Sequence, residues 1–209
     1  MAYRKFPEKV VHNGLEKELV NENTYLFTTL RDPIARAVSH YAHEVCLVNG
    51  VMKKIENIDT SLLTYKKMIH HFNAHKNFGK FMTISLFEDG KDTIDAIVKS
   101  SEDYYKSPEE IDAQLAKFHK IIKLETFTPE KFTELRAELH NFLQTQDKSE
   151  IIGGLNEVSF YDTSAKGIDL SIYTNKYSKQ LYESLTPEQL NTLKQYFELD
   201  YYVYSKTNF

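Results

Sequence analysis

The stretch TYLFTTLRDPIARAVSHYAHEV, residues 24–45, constrains what this chain can fold into more than any other. Its first seven positions, Thr24 to Leu30, form a short run of apolar and β-branched residues, the pattern of a buried strand. The run stops at Arg31-Asp32-Pro33. Asp32 suits a helix N-cap, because its carboxylate accepts a bond from a free first-turn amide. Pro33 suits the first helical position, where no backbone donor is needed. The spacing then predicts a helix through about Val45. At about 100° per residue, Ile34, Val38, Tyr41 and Val45 share one face, and Arg36, Ser39, His40 and His43 share the other. A strand, a tight turn and a helix start in direct succession point to an α/β domain.

That arrangement suits an anion. A helix N-terminus presents unpaired N–H groups and a partial positive charge, and a guanidinium grips phosphate through two parallel bonds. Arg31 stands at the strand end. Ser39 stands two turns into the helix, where its hydroxyl adds a donor if the helix lies along the ligand. The alternative is an ordinary strand-to-helix turn in which Arg31 pairs with a nearby carboxylate.

The order Leu30-Arg31-Asp32-Pro33, Arg36, Ser39-His40-Tyr41 resembles the RDPxxRxxSxY signature of sulfotransferases, in particular of the carbohydrate (family 2) type. The resemblance implies that Arg31 and Ser39 hold the 3′-phosphate of 3′-phosphoadenosine 5′-phosphosulfate (PAPS), with Arg36 also among the cofactor-binding residues. It implies transfer of a sulfuryl group from PAPS to a hydroxyl acceptor, by the family type a carbohydrate. The product nucleotide is then 3′-phosphoadenosine 5′-phosphate, and no metal is required. Members of the family open with a strand and a PKxGTT-like loop that cradles the 5′-phosphosulfate. No segment before Arg31 matches that loop, and residues 78–83 and 151–154 resemble it only weakly. The expected architecture is therefore a helix-rich, P-loop-NTPase-like α/β sulfotransferase fold with a short parallel sheet. It is expected to be shortened at its N-terminus and to form one domain over residues 1–209.

His12 lies upstream of the strand, where some carbohydrate sulfotransferases place a catalytic base. A near-neutral imidazole can deprotonate a sugar hydroxyl; an exposed loop histidine is the competing reading. The unmatched loop also keeps a second class open: a catalytically impaired nucleotide-binding or interaction protein that retains the 3′-phosphate pocket.

Composition narrows the partners. A net charge of −4 argues against a broad nucleic-acid-binding surface. The single cysteine, Cys46, permits no internal disulfide and no cysteine-based zinc site, and reads as a packed small residue. No signal peptide is apparent, and no apolar run approaches the roughly 18 residues of a membrane span. Golgi sulfotransferases of this type usually carry an anchor, so the expected location is cytoplasmic, or lumenal for an excised domain.

Elsewhere the chain reads mostly helical. Leu15 and Leu19 allow a short helix over about residues 13–20, and Asp59 or Thr60 caps a helix reaching Asn73. His71 and His75, one turn apart and next to His70, raise a metal site, but a solvated helix end is the plainer account. A loose family resemblance lets Asn77 and Thr83 line the cofactor or acceptor cleft. Thr93 opens a helix bearing Ile94, Ile97 and Val98. Ser107-Pro108-Glu109-Glu110 is a capping-box start, and Thr128-Pro129 begins another helix. Between them residues 121–124 read as a short buried strand that Glu125 closes as a polar end. Residues 144–170 form a long irregular loop. The resemblance brings that loop near the adenine and 3′-phosphate and makes Lys166 a cofactor contact. Thr186-Pro187 starts a last helix, followed by a tail whose tyrosines read as packing.

Overall fold

Among the described residues, two short strands pair in parallel. The structure, a computed structural model, describes residues 24–46, 60–88, 95–146 and 170–207. The helix expected over 13–20, the start at Thr93 and most of the 144–170 loop lie outside them. Strand β1 (Phe27–Leu30) pairs with β2 (Lys120–Lys123), Phe27 opposite Lys120 and Leu30 opposite Lys123. Parallel neighbours need a crossover, which the intervening helices supply. The expected strand from Thr24 is shorter because β2 begins only at Lys120. Just before it, the His119 imidazole takes the Leu26 amide on its Nδ1 at 3.1 Å, while the His119 amide donates to Leu26 O at 2.8 Å.

Helix α1 (Pro33–Cys46) leaves the end of β1 directly, and the apolar face read from the sequence is the face that packs, with Cys46 buried at its end. It is followed by α2 (Tyr65–Asn73), α3 (Phe81–Phe87), α4 (Pro108–Leu115) and, beyond β2, α5 (Pro129–Thr145). Three helices close the described chain: α6 (Leu170–Glu183), α7 (Pro187–Tyr196) and α8 (Glu198–Ser205). Helix-rich α/β architecture with a short parallel sheet is the class the sequence predicts. The caps at Ser107, Thr128 and Thr186 hold their helices as expected, each hydroxyl accepting the N3 amide. The α2 cap is Thr64, its hydroxyl facing the Lys67 amide; residues Thr60–Leu62 form a separate 3₁₀ turn.

The core has two lobes. One gathers Ile34, Val38 and Tyr41 of α1 with Met68 and Phe72 of α2, Leu181 of α6, Leu193 of α7 and Phe197. The other lies against the sheet: Leu30 and Ile121 meet Met82 and Leu86 of α3, Ile111 and Leu115 of α4, and Val203 of α8. Each such side chain contributes about 1.5–3 kcal/mol on burial. The run 81–87 is a helix, and the expected tail after Phe197 is α8.

Asn77 and Thr83 do not face a cleft. Both are fully buried, and each is satisfied by protein groups. Asn77 donates to Ala96 O at 2.8 Å and Glu102 O at 3.0 Å, and accepts the Tyr104 amide at 2.9 Å. It thereby fastens residues 96–104 to the start of α3. Lys80 supports the same segment through Asp103 and the Tyr104 carbonyl.

Next to Asn77, Gly79 admits no side chain. A Cβ there would lie 2.5 Å from the Tyr196 carbonyl oxygen and 2.9 Å from its ring. The ring cannot swing away freely, since its hydroxyl donates to Phe72 O at 3.1 Å. Gly79→Ala is expected to destabilise the fold by about 1–3 kcal/mol through overpacking. A denaturant midpoint unchanged from the parent would contradict this.

Candidate functional site

The polar face of α1 and the turn that feeds it form the candidate site. Asp32 caps the helix as its sequence implies, Oδ1 accepting the Ala35 amide at 2.8 Å. Its other oxygen accepts the Tyr201 hydroxyl at 2.9 Å, and the Ile34 amide faces that same hydroxyl. Glu125, in the turn after β2, accepts the Asp32 amide at 2.7 Å and the Tyr204 hydroxyl at 3.0 Å. The first turn of α1 is therefore closed by protein groups, and the open cradle of amides expected there is absent among the described residues. An anion at this end must be held by side chains.

Arg31 is the side chain so placed. It is half-buried at the end of β1, and among the described residues no carboxylate lies within ion-pairing distance of its guanidinium. Its charge is near enough to Arg36 to lower that guanidinium's pKa further. Ser39 is half-buried on α1, six residues past its first residue Pro33 and so roughly 9 Å along its axis at 1.5 Å per residue.

Arg36, expected to meet the nucleotide, is directed inward. Its guanidinium lies 4.2 Å from the Phe81 ring centroid, and Nη2 stands 3.7 Å from Asp200 Oδ2. Asp200 is completely buried and accepts the Met82 amide at 3.0 Å, the Thr83 amide at 2.9 Å and the Thr83 hydroxyl at 3.0 Å. It thus caps α3 while pairing with α1. Burial pushes the Asp200 carboxyl up and the Arg36 guanidinium down, each opposed by the charge of the other. His12 and Lys166 lie outside the described residues.

The histidines gather beside this face without forming a metal site; among the described residues no three His, Cys, Asp or Glu side chains are placed to hold an ion. His40 and His71 meet across α1 and α2 with ring centroids 6.2 Å apart, Phe78 packs against both, and His75 is 6.3 Å from His71. Burial lowers both imidazole pKa values. Glu44 raises them, while Arg36, His71 and His43 lower His40 further and His75 lowers His71. His40 is exposed at its outer edge, and His71 is half-buried between α1 and the turn before α3. A base depressed in the folded state adds stability that is complete above its unfolded pKa of about 6.5. That stability is lost as pH falls below this value toward the folded pKa, because the unfolded chain takes the proton first. The melting temperature is expected to drop on acidification through that window, and His71→Asn should flatten the slope. A parent slope unaffected by the substitution would contradict the assignment.

Sequence reasoning did not find Asp200, Tyr201 or Tyr204, and gave Glu125 no role beyond ending a strand. The one available hint was an acidic residue inside the aromatic run ELDYYVY.

The fold and the turn after β1 are those of an α/β protein, in which ligands commonly sit beyond the strand ends. The sulfotransferase-family model matches residues 4–207, and the chain belongs to that family. Sulfuryl transfer is the general chemistry of the family. No match was found among curated proteins or among solved structures. Among the described residues, no helix is long and apolar enough to cross a membrane.

Proposed function

We propose that this chain binds a 3′-phosphorylated adenine nucleotide through Arg31 and Ser39 and uses PAPS to sulfate a hydroxyl, with a carbohydrate as acceptor. The observation that carries the reading is Arg31 itself. It is a half-buried arginine with no carboxylate ion-pair partner among the described residues, next in the turn to Asp32 and Glu125, whose carboxylates are both engaged elsewhere. Such a cation is suited to a ligand's anion. When bound, PAPS would supply the activated sulfuryl group. The part left to Arg31 and Ser39 is to anchor the 3′-phosphate and hold the nucleotide in register with the acceptor. Arg36, tied to Asp200, supports α1 from beneath. His12 and Lys166 stay as candidates for the base and for a further cofactor contact.

Calorimetry tests the pocket. Adenosine 3′,5′-bisphosphate should bind more tightly than adenosine 5′-phosphate, and Arg31→Ala should weaken only the former, by about 10- to 100-fold, the scale of a charge-assisted contact. Equal affinity for the two nucleotides would sink the assignment. A nucleotide-binding protein without turnover is the second reading, and it has its own support. Lys80, the basic residue of the 78–83 segment that weakly resembles the phosphosulfate loop, is engaged by Asp103 and the Tyr104 carbonyl. An assay with PAPS and mixed glycan acceptors separates the two: sulfate transfer supports the enzyme, and nucleotide binding without transfer supports the second reading.

A further inference from the structure

We propose that Tyr201, Tyr204 and Glu125 are positioning residues for the Arg31 anion grip, holding its turn from α8 and from the segment after β2. The proposal rests on the nucleotide reading above. Asp32 and Glu125 both border Arg31, and in an open turn either would draw its guanidinium into an ion pair. Here each carboxylate is engaged on both oxygens. Asp32 takes the Ala35 amide and the Tyr201 hydroxyl; Glu125 takes the Asp32 amide and the Tyr204 hydroxyl.

The bonds act on the backbone as well. Glu125 fixes the peptide immediately after Arg31 at 2.7 Å, so it sets the direction in which that side chain leaves the strand. Tyr204 fixes Glu125 at 3.0 Å, and its ring is itself covered by the Lys123 ammonium, 4.5 Å from the centroid. Tyr201 completes the hold from the other side of the turn. Burial and the neighbouring carboxylates raise the pKa of both phenols, so both stay protonated and donate. A carboxylate with two donors is a weaker competitor for a guanidinium than a bare one, and the grip is left for a ligand.

Hydroxyl deletion isolates the effect, because Tyr201→Phe and Tyr204→Phe keep the rings. Calorimetry on the full chain reads affinity for adenosine 3′,5′-bisphosphate and for adenosine 5′-phosphate. Each variant is expected to lose about 3- to 10-fold of the preference for the bisphosphate, the scale of one hydrogen bond, with 5′-phosphate affinity unchanged. Glu125→Gln, which keeps an acceptor for Asp32 and a partner for Tyr204, should retain the preference; Glu125→Ala should lose it. A merely structural role would lower both affinities together. In the ligand-free chain, amide exchange at Asp32 and Ala35 should rise in both phenylalanine variants. Equal wild-type affinities would overturn the nucleotide reading and this proposal with it. Preserved preference in the variants overturns the positioning role alone, and unchanged exchange overturns the hold on the turn.

Discussion

Asp200→Ala is expected to cost about 3–5 kcal/mol of folding stability, the scale for removing one partner of a buried ion pair. Two losses combine. Arg36 is left beneath the surface without its counter-charge, and its Nε and Nη2 already lack hydrogen-bond partners among the described residues. The Met82 and Thr83 amides, which no residue of α3 itself can satisfy, lose their acceptor in a place water does not reach. Asp200→Asn separates the two in part, since its single amide oxygen still accepts the Thr83 N–H while the charge is gone and its NH2 is left facing the Met82 amide. It should fall between the parent and alanine. Urea denaturation provides the measurement, and a change below about 1 kcal/mol for alanine would show that the pair is not a structural requirement.

Phe72→Ala should be comparably severe, about 3–5 kcal/mol. Phe72 is completely buried, stacked on Phe78 with centroids 4.6 Å apart and edge-on to Phe197 at 5.8 Å. Its neighbours come from α2, from the 3₁₀ turn before α3 and from the α7–α8 junction, so collapse around a truncated side chain would have to move three elements together. A domain of ordinary stability holds only about 5–15 kcal/mol in reserve. Phe72→Leu, which keeps most of the volume, should lose much less. The midpoint in urea should shift with an unchanged slope; equal effects of alanine and leucine would show that the site repacks freely.

What could be read from the sequence was what local bonds decide. Asp32-Pro33 announced the start of α1, and Ser107, Thr128 and Thr186 announced three more helices, because each cap acts on an amide three residues away. The α1 helical period separated Ile34, Val38 and Tyr41 from Arg36 and Ser39 correctly. It did not reveal that part of the polar face is covered, because the covering Phe81 and Asp200 come from elements far along the chain. The same reason hid the hold on the Arg31 turn. Glu125 reaches Asp32 across 93 positions and Tyr201 reaches it across 169, and no spacing rule links such residues. The run FMTISLF, helix α3, carries no such signal: a short apolar stretch has no period that distinguishes helix from strand. Asn77 and Thr83 looked like cleft residues because a buried polar side chain and a ligand-facing one are the same letters in a sequence.

The position of α8 has a consequence for synthesis. A ribosome delivers β1, Arg31 and α1 more than 150 residues before Asp200, Tyr201 and Tyr204. Until α8 is made, Arg36 therefore has no counter-charge, the α3 amides have no cap, and Asp32 and Glu125 lack their phenol donors. The emerging chain can form individual helices, but the Arg31 turn cannot be held until α8 has cleared the exit tunnel and docked. A message or peptide cut short before Glu198 would yield helices with an unlocked site.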